Sequence, residues 1–171
     1  MSLSGDFHKR ILPVQHKLYR FALRILGSVE EAEDVVQEVL LRVWRQRSEM
    51  QGWHNVEAWC MRMVKNHALD QLRSGRLRFR EEMDGLPEPA CCDDSPDLLA
   101  ERDETLAHIH RLIAALPEKQ RIALQLRDVE DYSYQEIADI MEISLDQVKV
   151  NLFRARKQLR TQLQLTESYG T

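Results

Sequence analysis

The sequence predicts an all-α protein of two small helical domains joined by an acidic linker, the C-terminal one a helix-turn-helix. Three observations carry this. Apolar residues recur with the helical period in both flanking blocks of the 171-residue chain, and no run alternates with a period of two for long enough to be a strand. Only 6 glycines and 5 prolines leave little turn chemistry for a many-stranded sheet. The composition, 43% hydrophobic and 30% charged, is that of an ordinary soluble domain able to bury a core.

The first element has a stripe at Val14, Leu18, Phe21, Ala22 and Ile25, and the second at Ala32, Val35, Val36, Val39, Leu40 and Val43. Gly27 and Ser28 separate them, and Ser28 with Glu31 has the spacing of a capping box. At 100° per residue, as an α-helix turns, Leu41 lies opposite the second stripe and faces water, with Asp34, Gln37, Glu38 and Arg45 around it. A lone exposed leucine is ordinary. Ringed by carboxylates and an amide, it also has the make-up of a docking patch for a basic partner.

A third helix runs from about Val56 to Phe79, with Asn55 as its N-cap. Its apolar side uses Trp59, Cys60, Met63 and Leu72, whereas Arg62, Asn66, Asp70 and Arg73 recur on another side. The preceding loop brings Trp53, His54 and Asn55 together. Cations beside aromatics suit single-stranded nucleic acid, where phosphates need charge and unstacked bases need flat surfaces. The competing reading is that Trp53 and Trp59 are core residues beneath a solvated cationic face.

Residues 81–104 break the pattern. They hold 10 acidic residues and 1 basic one, with Pro87, Pro89 and Pro96, and read as a linker extended by self-repulsion or as a solvated loop. The expected domains are therefore 1–80 and 105–171, with 81–104 between them.

In the last block two capping boxes stand eleven residues apart, Ser133 with Glu136 and Ser144 with Gln147. Each is preceded by an apolar residue matched to one at N4, Tyr132 with Ile137 and Ile143 with Val148. The first helix of the pair can run only from Tyr134 to about Met141, which is helix-turn-helix spacing. Pro117 opens a supporting helix as its first residue, running through Arg127. The second helix of the pair, Leu145 to about Leu163, turns Leu145, Val148, Leu152, Leu159 and Leu163 inward. Val150, Arg154 and Lys157 point outward, flanked by Lys149, Asn151 and Phe153. Five cations and no acid between Gln147 and Arg160 suit phosphate, and the exposed Val150 and Phe153 suit base edges or a thymine methyl.

Together the segments EEAEDVVQEVLLRVWR, VEAWCMRMVKNHALDQLR and LPEKQRIALQLRDVEDYSYQEIADIMEISLDQVKVNLFRARKQL resemble the extracytoplasmic-function (ECF) sigma factors of bacterial RNA polymerase, over nearly the whole chain. The resemblance implies that domain 1–80 is sigma region 2, docking on core polymerase through Asp34, Gln37, Glu38 and Leu41. It implies that Trp53, His54, Asn55, Arg62, Lys65, Asn66, Asp70 and Arg73 recognise and melt the −10 element, with Lys65 where the family usually has arginine. Domain 105–171 would be sigma region 4, reading the −35 element with Lys149, Val150, Asn151, Phe153, Arg154 and Lys157. Val150-Asn151 departs from the family's usual Ser-Arg, so a relative's −35 preference does not transfer.

The implied partners are core RNA polymerase, promoter DNA and an anti-sigma factor. A net charge of −4 and pI near 5.9 make a poor stand-alone DNA binder, consistent with polymerase supplying much of the attraction. The alternative is a stand-alone helix-turn-helix transcriptional regulator.

No enzymatic activity, cofactor or metal is expected: there is no P-loop, nucleophile elbow or Glu-x-x-His pair. No apolar run is long enough for membrane insertion and no signal core is seen, so a cytoplasmic location is expected. Cys60, Cys91 and Cys92 make no disulfide framework and are read as reduced bystanders, with a redox role for the adjacent pair left open.

Overall fold

The computed structural model describes residues 3–49, 54–82 and 104–169, all helix or short turn, with no strand among them. The chain divides into two compact units, Met1–Glu88 and Pro89–Thr171, and the division falls inside the acidic stretch. Trp53, Cys91, Cys92 and nearly all of the expected linker lie outside the described residues.

The first unit is three helices, α1 (Leu3–Leu26), α2 (Val29–Arg45) and α3 (Val56–Glu82), each packed on the other two. Ile11, Leu18, Phe21, Ala32, Val39, Val43, Met61 and Val64 are buried. Pro13 stands inside α1 on its exposed side, where water can take up the carbonyl that its missing N–H leaves over.

Helix α1 stops at Gly27, whose φ of 73° is cheap only for glycine and whose N–H donates to the Leu23 carbonyl at 2.7 Å. Ser28 then caps α2, its Oγ accepting from the Glu31 N–H at 3.4 Å. At the far end of α2 the Arg47 guanidinium lies 4.3 Å over the Trp44 ring and donates to the Trp44 carbonyl. Asn55 caps α3 through Oδ1, which accepts from the Ala58 N–H at 2.9 Å. Lys17 ties α1 to the start of α3 by an ion pair to Glu57 at 2.8 Å.

The second unit holds α4 (Glu104–Ala114), α5 (Glu118–Leu124), α6 (Tyr134–Met141) and α7 (Leu145–Tyr169). Pro117 proves to be the N-cap of α5, with extended ψ of 144°, rather than its first helical residue. The expected helix through Arg127 instead ends at Leu124 and widens into a π-helical turn, Gln125–Val129. The Glu130 N–H closes it on the Gln125 carbonyl, five residues back, and beyond it the Tyr132 N–H donates to the Leu126 carbonyl. The Arg127 side chain braces the exit, donating to the Tyr132 carbonyl at 2.8 Å and lying 5.4 Å from the Tyr134 ring centre.

Both expected capping boxes are complete. Ser133 and Glu136 exchange bonds of 3.2 and 2.8 Å, and Ser144 and Gln147 exchange bonds of 3.2 and 3.1 Å. Between them Glu142 adopts φ 58°, ψ 43°, a left-handed conformation that lets the Ile143 N–H reach back to the Ala138 carbonyl. The core gathers Leu116, Ile122, Leu126, Tyr132, Ile137, Ile140, Val148, Leu152 and Ala155.

Candidate core-polymerase and nucleic-acid surfaces

Helix α2 buries Ala32, Val35, Val36, Val39 and Val43, and the phase of that stripe sets everything opposite it in solvent. Leu41 is 56% exposed, with Asp34, Gln37, Glu38 and Arg45 exposed around it. Glu38 Oε2 lies 3.5 Å from Nδ1 of His67 on the neighbouring α3. The result is an apolar anchor in an acidic and amide rim.

On α3, Asn66, Asp70 and Arg73 are exposed in one line and Arg62 is half-buried beside it. Arg73 and Asp70 lie 3.7 Å apart, so one of the two arginines on this face is paired with its acid. His54 and Asn55 are exposed at its N-terminal end, but Asn55 Oδ1 is engaged in capping the helix.

Lys65 does not belong to this surface. It is only 6% exposed, because it lies one turn from both Met61 and Leu69, on the side that α1 and α2 cover. Met61, Val64, Ala68 and Leu69 were missing from the expected apolar side of α3, whereas Trp59 and Leu72 are only half-buried. The signal was present in their spacing of three, four and one.

On α7, Val148, Leu152 and Ala155 face inward. Val150 is 43% and Phe153 67% exposed, and Lys149, Arg154 and Lys157 share the outer side, with Asn151 half-buried at its edge. Leu145, expected inside, is 37% exposed: as the first helical residue it lies at the margin of the contact with α6. Lys149 is 3.7 Å from Asp146, and Asn151 Nδ2 donates to the Gln147 carbonyl at 2.8 Å. Arg156 points elsewhere, toward Asp128 in the π-helical turn.

Among the described residues no cluster of histidine, cysteine and carboxylate side chains could hold a metal ion, and no helix is long and apolar enough to cross a membrane. The faces are those of a binding protein: an acidic patch with an apolar centre, a mixed polar line, and a cationic face with apolar residues in it.

Both units match known protein families. Residues 11–78 match the family model for sigma-70 region 2, and residues 106–159 match that for sigma-70 region 4. The chain is 32% identical over 167 residues to the RNA polymerase sigma-H factor of Pseudomonas aeruginosa, covering 92% of this chain and 86% of that protein. It is 28% identical to the ECF RNA polymerase sigma-E factor of Escherichia coli K12, with the same coverages, and 32% identical to the ECF sigma factor SigE of Mycolicibacterium smegmatis, of which it spans 57%.

The fold is shared with the sigma factor RpoE of Bartonella quintana, solved in complex with the anti-sigma factor NepR, at a TM-score of 0.74 and 23% identity over 93% of this chain and 97% of that one. It is also shared with CnrH, solved with the cytosolic domain of CnrY, at a TM-score of 0.70 and 18% identity over 95% and 90%. Two region matches in order, and a relative of like length at this identity, establish that the chain belongs to the ECF group of RNA polymerase sigma factors.

Proposed function

We propose that this chain directs promoter-specific initiation in the cytoplasm by binding core RNA polymerase, recognising −35 and −10 elements and aiding DNA melting. It works by binding energy and not by covalent chemistry. Asp34, Gln37, Glu38 and Leu41 dock on polymerase. Trp53, His54, Asn55, Arg62, Asn66, Asp70 and Arg73 engage the −10 region, where an extruded base needs a pocket and stacking surfaces. Lys149, Val150, Asn151, Phe153, Arg154 and Lys157 meet the −35 duplex. Lys65 drops out of the −10 set and supports the packing of α3 instead.

The observation that carries the reading is the exposure of Leu41 among Asp34, Gln37 and Glu38, because an apolar anchor ringed by carboxylates and an amide has the make-up of a docking patch where a lone exposed leucine does not. An anti-sigma factor that hides both DNA-facing units fits the same surfaces, as one accompanies the Bartonella relative.

Run-off transcription with core polymerase and a promoter library, with and without the protein, tests this. New promoter-specific transcripts are expected only with the protein. Tight, specific operator binding by the isolated chain, without polymerase, would favour a stand-alone regulator.

A further inference from the structure

The outward side of α7 offers fewer polar groups to DNA than its sequence suggests. Gln147 Oε1 is engaged with the Ser144 N–H, and Asn151 Nδ2 with the Gln147 carbonyl one turn back. Asp146 and Lys149 face each other at 3.7 Å. What remains outward in the first turns is the Gln147 Nε2 donor and two bare apolar side chains, Val150 and Phe153, 43% and 67% exposed, beside the half-buried Asn151, whose Oδ1 is an acceptor. Arg154 and Lys157 come after them.

Positions 150 and 153 are neighbours on the helix surface, about 4.5 Å apart along its axis at about 1.5 Å per residue. That is close to one base-pair step of about 3.4 Å. The major groove displays one apolar group, the thymine methyl, and exocyclic amines on adenine and cytosine that an acceptor can bind. A guanine opposite the same residues presents only acceptors, which Val150, Phe153 and the Asn151 oxygen would leave unsatisfied.

Building on the proposed −35 role of α7, we infer that Val150 and Phe153 form a methyl-reading pair. They select thymine at two neighbouring steps of the −35 site, beside an adenine or cytosine amine held by Asn151 Oδ1. Arg154 and Lys157 supply phosphate contact along the same groove. The pair, not the cations, then determines which −35 sequences this chain accepts.

The test uses holoenzyme reconstituted from bacterial core polymerase and the full chain. A duplex library randomised across the −35 region is selected for binding, and each thymine of the winning duplex is then replaced in turn by deoxyuridine, which keeps the pairing and removes the methyl. Two adjacent positions are expected at which uracil weakens binding roughly fourfold each, the equivalent of about 0.8 kcal/mol per methyl buried. In Val150→Ala and Phe153→Ala holoenzymes the penalty should vanish at one position apiece, with helix content unchanged by circular dichroism.

Indifference to uracil throughout the −35 site, or a penalty that survives both substitutions, overturns the inference while leaving −35 binding intact. Failure of the selection to enrich any −35 sequence overturns the −35 role of α7 and the inference with it.

Discussion

Arg156 grips the Asp128 carboxylate with both ends of its guanidinium, Nη2 to Oδ1 at 2.6 Å and Nε to Oδ2 at 3.3 Å. The bond fastens α7 to the π-helical turn across 28 positions of sequence, and it raises the Arg156 pKa above its ordinary value, chiefly through these hydrogen bonds. Arg156 thus sits in the cationic run of α7 but serves to hold the helix in place. With both side chains nearly half exposed, solvent screening keeps the pair to about 1 kcal/mol. Asp128→Ala and Arg156→Ala should each cost about that much in urea unfolding, and a double-mutant cycle should return a coupling of similar size. A pKa raised above the already high ordinary arginine value keeps the arginine's share fully present at all lower pH, so no pH dependence from Arg156 is expected near neutrality.

Leu41→Asp should separate docking from folding. Since Leu41 faces water, urea stability should move by no more than about 0.5 kcal/mol. Affinity for core polymerase should fall by about 2 kcal/mol or more, the loss typical of a central anchor, measured by titration with labelled polymerase. Val39→Asp, fully buried two residues away, should unfold the first unit.

Cys60 should be chemically silent while the first unit is folded. Burial, and secondarily the charge of Glu57, push its thiol from 9.0 up to about 12. In a Cys91→Ser, Cys92→Ser background, iodoacetamide should label Cys60 only after denaturation. The same shift sets an alkaline weakness. The unfolded thiol ionises near 9.0 while the folded one keeps its proton to about 12, so stability is full below the lower value and declines between the two. The slope should approach about 1.4 kcal/mol per pH unit and disappear in Cys60→Ala.

Glu142→Gly should stabilise the second unit. Glu142 holds φ at 58°, where a side chain is strained and glycine is not. Relief of about 0.5–1 kcal/mol is expected, read as a higher urea midpoint with unchanged slope.

What was legible in the sequence was what local physics decides. Helix starts at Ser28, Asn55, Ser133 and Ser144 follow from side chains that bond the nearest free N–H groups, and each is found. Leu41, Val150 and Phe153 follow from phase on helices whose buried residues form one narrow stripe. Lys65 is buried because the covered arc of α3, which takes in Cys60, Met61, Met63, Val64, Ala68 and Leu69, is wider than a one-stripe reading allows. The π-helical turn was missed because a bond from residue 130 back to 125 has no composition signal of its own. Contacts such as Arg156 with Asp128, or His67 with Glu38, join residues that only folding brings together.

The last stretch of α3 departs from its own bundle. From Arg73 to Arg78 every side chain is exposed, including Leu77 at 59%, so burial adds little to the intrahelical bonds of these turns. Bonds of that kind open with little free energy, since little else need separate when they break. Amide protons along α3 should therefore exchange with deuterium on a gradient, slowest around Val64 and fastest past Arg73. A helix end bearing three arginines in that span is then conditional, tightening when polyanion neutralises it and fraying when salt removes that support.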